Sequence, residues 1–164
     1  MQSAWPKLAN LQPASAKMDK EQVHVKLGIS GTYWAKRPQY RVVLNNTVMA
    51  QGEITSESDV TEYVEFDCEY DTEEVVLQVF LTNKTDSDTV QNEDKTAIVK
   101  DMLLNIESCE VDEIDLGNLI YEITEFVAED VSRPTLKKCI NLGWNGAWTL
   151  RWANPFYIWL LENI

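Results

Sequence analysis

The sequence contains few of the residues that most catalytic and metal sites require. It has one histidine, His24, and six scattered glycines among 164 residues. A Ser-His-acid or Cys-His arrangement would have to use His24, and no glycine-rich phosphate loop is present. The three cysteines, Cys68, Cys109 and Cys139, are odd in number and lack Cys-x-x-Cys spacing, which argues against disulfides and zinc. These absences predict a protein that is not an enzyme.

Long apolar runs are also missing. No stretch reaches the roughly 18 consecutive apolar residues of a membrane span, so we expect no membrane partner. The N-terminus lacks a charged start followed by an apolar stretch, so we expect no secretory signal. Together with the odd cysteine count, this predicts a protein that folds in a reducing cytoplasm.

Positive charge is scarce in the middle of the chain. The net charge is −13, and residues 50–130 carry 24 acidic and three basic side chains, whereas both ends are net positive. Such a field disfavours nucleic acid and anionic lipid as partners. The contrast between the acidic middle and the basic ends favours charge-complementary packing between copies, or packing against a basic partner. An acidic solubilising face explains the same pattern.

Alternating apolar residues dominate what is present. Residues 23–29 and 64–70 have period-2 patterns, 75–82 is apolar on most of both faces, and Asn45-Asn46 separates two strand-like runs. In 103–111 the apolar phase slips between Ile106 and Cys109, which indicates a β-bulge. Residues 119–127 fit either a strand or a short helix, and 135–142 fits a strand. We predict an all-β fold, an antiparallel β-sandwich or jelly roll.

The two ends of the chain differ from this pattern. Residues 1–22 contain Pro6 and Pro13 with weak periodicity, and we predict an extended N-terminal arm, with 23–164 as a single β-sandwich domain. Residues 143–164 carry four of the six tryptophans, and we predict a C-terminal aromatic hairpin used for assembly. Since buried aromatics dominate interfaces, the predicted assembly residues are Trp5, Leu8, Trp152, Phe156, Tyr157 and Trp159.

Two further sets of residues could bind ligands. The loop 83–100 is long and acidic, and hard oxygen ligands from such a loop can hold Ca²⁺, so Asp86 and Asp101 are the candidate metal ligands; a solvated acidic loop is the alternative. Aromatic faces can stack on sugar rings, which makes Tyr33, Trp34 and Trp144 the candidate carbohydrate-binding residues, with core packing as the alternative. No spacing selects a pair among the 27 acids for glycoside cleavage.

One segment is similar to calcium-dependent xylan-binding modules. The residues are Val79-Phe80-Leu81-Thr82-Asn83-Lys84 and the run 101–113, with 23–29 and 39–46 matching the opening of those modules. The resemblance covers about residues 22–117 and implies a carbohydrate-binding β-sandwich in which Asp101 falls on a calcium ligand. Lys84 stands where those modules have an aspartate, and its ammonium could replace the ion by pairing with Asp101.

The far end has a second resemblance. Residues 114–119, 141–150 and 155–163 look like small proteins of tailed phages of marine bacteria, cyanophages among them. This resemblance implies a virion component assembled in the host cytoplasm, whose partners are other virion proteins and copies of itself. Our prediction from sequence is a non-enzymatic structural protein of a phage virion, for capsid decoration, neck, tail or fibre. The alternative is a lectin-like adhesin for host surface glycans, with or without calcium.

Overall fold

The computed structural model describes residues 20–164, so the predicted arm, including Trp5 and Leu8, lies almost entirely outside the described residues. The strands are Glu21–Thr32 (β1), Gln39–Leu44 (β2), Thr47–Glu53 (β3), Glu62–Tyr70 (β4), Glu74–Leu81 (β5), Val90–Gln91 (β6), Ile98–Lys100 (β7), Leu103–Val111 (β8), Ile114–Asp115 (β9), Glu125–Ala128 (β10), Leu136–Lys137 (β11), Asn141–Leu142 (β12) and Gly146–Ala153 (β13). The helices are Leu119–Glu122 (α1) and Phe156–Asn163 (α2), and Asp86–Asp88 forms a 3₁₀ turn.

Two antiparallel sheets pack over one hydrophobic core. The smaller sheet has the order β12–β8–β1–β4, with β9 paired to β8, and the larger sheet has the order β11–β10–β13–β5–β2–β3. Strands β6 and β7 form a separate ribbon within the long acidic loop. Facing sheets that share one core are a β-sandwich, which confirms the predicted fold class.

The alternating patterns place side chains as predicted. In β1, Val25, Leu27 and Ile29 are fully buried. On β4, Val64 points into the core while Glu65 and Asp67 are exposed. Because successive side chains on a strand point to opposite faces, the apolar half of each strand fills the core and the acidic half covers the outside.

The predicted bulge lies in β8. In its pairing with β1, Gly28 is opposite Ser108 but Ile29 is opposite Ile106, so Glu107 has no partner residue. The Glu107 carboxylate instead accepts a hydrogen bond of 2.6 Å from the Ser30 hydroxyl. One extra residue in β8 therefore explains the slip in the apolar phase.

A tight hairpin joins β2 and β3, also as predicted. Asn45 and Asn46 have φ values of 47° and 67°, the left-handed conformation that two-residue hairpin turns require. Asn45 also ties the turn to β5, because its side-chain oxygen accepts a 2.9 Å hydrogen bond from the Val76 amide.

Two segments of mixed pattern divide between elements. Residues 119–127 form α1 followed by β10, so both interpretations were right for half of the segment. Residues 135–142 form two short strands instead of one: β11 pairs with β10 in the larger sheet and β12 pairs with β8 in the smaller sheet. The chain therefore crosses from one sheet to the other within this segment.

The predicted C-terminal hairpin is wrong. Strand β13 lies inside the larger sheet between β10 and β5, and the residues after Pro155 form helix α2. Phe156 and Leu160, four residues apart, are the two buried positions of α2, which is the spacing of one helix face. The apolar run is helical because its first residues pack on β13 along that face instead of pairing with another strand.

The indole N–H groups of the core tryptophans Trp148 and Trp152 both have hydrogen-bond acceptors. Trp148 is fully buried, and its indole N–H donates to the Thr124 hydroxyl at 2.9 Å. The Trp152 N–H donates to the Tyr70 hydroxyl at 3.2 Å. Since an unpaired buried donor is costly, these bonds allow large aromatic side chains to fill the space between the sheets. Within residues 20–164, neither helix is long and apolar enough to span a membrane.

Candidate functional site

A cleft of about 660 Å³ lies beside the long acidic loop. We call it the loop cleft; its walls come from the 84–101 segment, from the 129–133 segment after β10, and from the 143–145 turn before β13. Asp86, Asp101 and Trp144 all line it. The fold thus brings both candidate metal ligands and one candidate sugar-binding residue to one place.

Lys84 is the central residue of this cleft. Its ammonium donates to Asp101 Oδ1 at 2.7 Å and to the Gly143 carbonyl oxygen. The same carboxylate oxygen accepts hydrogen bonds from the Thr89 hydroxyl at 2.7 Å and the Met102 amide at 2.9 Å. With 9% of its side chain exposed, Lys84 joins three separate segments of the cleft.

These contacts set the charge of Asp101. Partial burial acts to raise the pKa of its carboxyl, but the hydrogen bonds from Lys84, Thr89 and Met102 outweigh that effect and hold the pKa below its usual value. Asp101 is therefore ionised and paired with Lys84 at neutral pH.

The donor set around Asp101 does not suit Ca²⁺. A calcium ion needs six to eight oxygen ligands at 2.3–2.6 Å, but Asp101 Oδ1 already accepts hydrogen bonds from the Lys84 ammonium, the Thr89 hydroxyl and the Met102 amide. Among residues 20–164, no three His, Cys, Asp or Glu side chains are grouped as a metal site. Asp86 is exposed on the 3₁₀ turn. The structure thus places Lys84 as the sequence comparison with xylan-binding modules predicts.

The ring of Trp144 contacts two other side chains. One face stacks on Phe126, with ring centroids 5.8 Å apart and planes at 25°, and the Arg133 guanidinium lies 4.3 Å from the ring centroid. A sugar ring could stack there only if Arg133 moved aside. The indole N–H is buried and has no hydrogen-bond partner among the described residues.

Tyr33 and Trp34 do not line the loop cleft. The Tyr33 hydroxyl donates to the Ser56 carbonyl at 2.8 Å, so Tyr33 ties the loop after β1 to the loop after β3. Trp34 is 44% exposed, but its N–H donates to the Asp88 carbonyl at 2.9 Å and the Lys100 ammonium lies 4.8 Å from its ring centroid. Trp34 therefore supports the acidic loop from outside the cleft.

The predicted assembly residues within the described part of the chain differ in their exposure to solvent. Trp152 is 1% exposed and Phe156 is 3% exposed, so both belong to the core of this chain, and the prediction that they contact a neighbour is wrong. Their rings pack edge to face at 5.7 Å. Trp159 is partly buried against Phe156, whereas Tyr157 is 53% exposed and remains available to a partner.

Two residues of the cleft, Asn145 and Arg133, were not identified as site residues from the sequence. Asn145 bonds both ways to the Lys84 backbone, accepting from its amide at 2.8 Å and donating to its carbonyl at 3.0 Å. Arg133 covers Trp144. The Asn145-Gly146 pair is a recognisable turn signal, but its partner is 61 residues away, and no sequence pattern indicates that contact.

No histidine lines the loop cleft, and two of its carboxylates have lowered pKa values. His24, the only histidine of the chain, lies on β1 in the smaller sheet with its Nδ1 2.8 Å from Asp67. Asp130, a cleft residue, bonds to the Ser132 hydroxyl and amide, and these bonds lower the pKa of its carboxyl. The pKa of Asp101 is also lowered. A glycosidase general acid needs the opposite, a raised pKa.

Comparisons with known proteins give matches of fold only. No protein-family model and no curated protein matches the chain. Among solved structures, it is similar to the carbohydrate-binding module vCBM60 in complex with galactobiose, with 8% identity, a TM-score of 0.48, and coverage of 77% of this chain and 95% of that chain. It is also similar to the selenomethionine form of vCBM60, from work linking two families of calcium-dependent carbohydrate-binding modules by circular permutation, with 11% identity, a TM-score of 0.48, and coverage of 77% and 88%.

Proposed function

We propose that this β-sandwich protein is a non-catalytic carbohydrate-binding protein whose ligand enters the loop cleft. The observation that carries the proposal is the composition of that cleft: an indole, an amide, a guanidinium and carboxylates converge on about 660 Å³. Each sugar hydroxyl both donates and accepts a hydrogen bond, so it needs donors and acceptors side by side. Arg133 supplies donors, Asp86 and Asp130 supply acceptors, and Asn145 holds the Lys84 backbone beside them.

Binding without turnover agrees with the electrostatics of the cleft. Asp101 and Asp130 both have carboxyl pKa values below the ordinary range, so at neutral pH they accept hydrogen bonds and do not donate protons. Binding is also independent of calcium in this proposal, because the Lys84 ammonium provides the positive charge beside Asp101. A cation built into the chain needs no external ion to hold the cleft segments together.

The test is direct binding to soluble polysaccharides. Xylan, β-galactan and mannan are each cast into native gels, and the mobility of the protein in each gel is compared with its mobility in a gel without polysaccharide. For any polymer that retards the protein, the affinity for the corresponding oligosaccharide is then measured by calorimetric titration. We expect retardation by at least one polymer and a changed affinity for Arg133→Ala, whereas Lys137→Ala, which removes a charge outside the cleft, binds as the wild type does. If none of the three polymers retards the wild-type protein, the proposal fails.

A second function, assembly into a larger particle, is favoured by one surface. Helix α2 and the residue that follows it expose Tyr157, Ile158, Leu161 and Ile164, and a group of exposed apolar side chains is typical of an interaction surface. The virion role, with virion proteins and further copies of this chain as partners and the host cytoplasm as the place of assembly, remains a prediction. Sedimentation velocity over a range of protein concentrations tests self-association, and a single monomeric species at every concentration would remove copies of the chain as partners.

A further inference from the structure

A second depression runs along the outer face of the larger sheet. We call it the sheet groove; it has a volume of about 530 Å³, and it is lined by side chains from β2, β5, β10 and β13, among them Arg41, Gln78, Phe80, Val127 and Arg151. Val127 is exposed and Phe80 is half-buried. The groove therefore has an apolar floor with cationic and amide groups around it.

The sheet groove continues from the loop cleft. Glu129 lines both depressions, and the Asn145-Gly146 pair contributes one residue to each. At the other end, Thr82 and Arg41 line both the sheet groove and the next depression beside β3. Because the depressions share these lining residues, a chain-like ligand that occupied the loop cleft could extend past Glu129 across β13, β5 and β2.

Arg41 is the unusual residue of this groove. It has no carboxylate within ion-pair distance and makes no side-chain hydrogen bond to any of residues 20–164. Its guanidinium lies 5.9 Å from the Phe80 ring centroid. By contrast, Arg151, at a different place in the groove, contacts Glu74 at 3.4 Å. With respect to residues 20–164, the five N–H donors of Arg41 thus have no hydrogen-bond acceptor, in a protein with a net charge of −13.

A carboxylated sugar matches that pair of side chains. The planar guanidinium fork bonds a carboxylate through two parallel hydrogen bonds, and the C–H face of a pyranose ring packs on an aromatic ring. Register places Arg41 directly opposite Phe80 on the neighbouring strand, so the two groups can contact the same sugar unit.

We propose that the loop cleft and the sheet groove form one extended site for a glycan chain, in which Arg41 binds the carboxylate of a uronic-acid unit. This inference rests on the proposed function and adds the class of ligand and the direction in which it lies. The strongly negative charge of the protein disfavours a polymer that is charged at every unit. The ligand is therefore a largely neutral glycan that carries occasional uronic acids.

The experiment uses one polymer in two chemical forms. Glucuronoxylan and its carboxyl-reduced derivative, in which each carboxylate has become a hydroxymethyl group, are titrated calorimetrically into the 164-residue protein. We expect the reduced polymer to bind about tenfold more weakly, the effect of losing one charge-assisted bidentate contact. Arg41→Gln should weaken binding of the native polymer by a similar factor and leave binding of the reduced polymer unchanged.

Three variants separate this inference from the proposed function. Arg41→Lys keeps the charge but not the fork, so we expect intermediate affinity, and Lys137→Gln controls for the loss of one charge elsewhere. Equal binding of both polymer forms by the wild type, with loss of binding only in Arg133→Ala, would overturn the extended site and retain the loop cleft. Absence of binding to either form, together with no retardation by any neutral polymer, would overturn both.

Discussion

The Lys84 ammonium lies 2.7 Å from Asp101 Oδ1, and both side chains are largely removed from solvent. The pair joins the segment that follows β5 to the segment that precedes β8, and the Gly143 carbonyl adds the turn before β13. A cation that belongs to the chain therefore holds the loop cleft in shape, and several measurable properties depend on it.

Calcium should not change the stability of the protein. The Lys84 ammonium already neutralises Asp101, and residues 20–164 contain no group of three His, Cys, Asp or Glu side chains that could hold the ion. We expect the same thermal midpoint, within error, in millimolar CaCl₂ and in EDTA, measured by scanning calorimetry. A ligand that binds the folded state raises the midpoint, so a clear increase in CaCl₂ would show that a calcium site exists.

Replacing Lys84 should destabilise the protein. Lys84→Met keeps the length of the side chain but leaves the Asp101 carboxylate partly buried without its cation, and we expect a loss of about 2–4 kcal/mol. The measurement is denaturant unfolding. Lys137→Met is the matched control, because its partner Glu125 forms a surface pair whose loss costs about 0–1 kcal/mol. Equal stability of the two variants would contradict the role of Lys84.

Acid should weaken the same contact. The pKa of Asp101 is lower in the folded protein than its ordinary value of 3.8, so its stabilising contribution is complete above that value and is lost as the pH falls through the folded-state pKa. We expect the stability difference between wild type and Lys84→Met, measured by urea unfolding, to shrink as the pH is lowered below 3.8. A difference that stays constant down to pH values near the folded-state pKa would rule out an ionised Asp101 as its source.

Replacing Trp152 should destabilise the protein, whereas replacing Tyr157 should leave its stability nearly unchanged. Trp152→Ala removes a core indole and its bond to Tyr70, so we expect a loss of about 3–5 kcal/mol in unfolding free energy. Tyr157→Ser changes an exposed side chain, so stability should stay within about 0.5 kcal/mol of the wild type. Denaturant unfolding gives both values, and sedimentation velocity then shows whether Tyr157→Ser reduces self-association. A stable Trp152→Ala protein would contradict the core assignment.

His24 should titrate above its ordinary value. Its hydrogen bond to Asp67, assisted by the charges of Asp67 and Glu65, raises the pKa of the imidazole above 6.5. The contribution to stability is therefore complete below 6.5 and is lost as the pH rises through the folded-state pKa. NMR can follow this directly, because the chain has one histidine. Asp67→Asn should lower the measured pKa towards 6.5, and an unchanged value would show that Asp67 is not the cause.

Local patterns were sufficient for individual strands and turns. The alternation in β1 and β4, the phase slip at Glu107, and the Asn45-Asn46 turn are each consequences of a few neighbouring residues, because strand geometry and left-handed turns depend on short-range sterics. Local pattern did not predict the structure of the terminal apolar run, residues 156–161. Its composition fits a strand as well as a helix, and the packing of Phe156 against Trp152 of the preceding strand β13 accompanies the helix.

The candidate site could be predicted only in part, because residue types are visible in the sequence but their convergence is not. Asp86, Asp101 and Trp144 were each identified from residue type, and Lys84 was identified by its difference from the xylan-binding pattern. Their convergence with Arg133 and Asn145 depends on where β10, β12 and β13 enter the two sheets. No neighbouring residues in the sequence specify that arrangement.

The sequence by itself determined that the chain forms an antiparallel β-sandwich with an acidic exterior, because side-chain alternation along each strand separates apolar from charged residues before any long-range contact forms. Only the tertiary structure decided which aromatics are core and which are exposed, and which carboxylate pairs with which cation. Burial and charge pairing are properties of side chains that are distant in sequence, and the packing of the two sheets sets their distances.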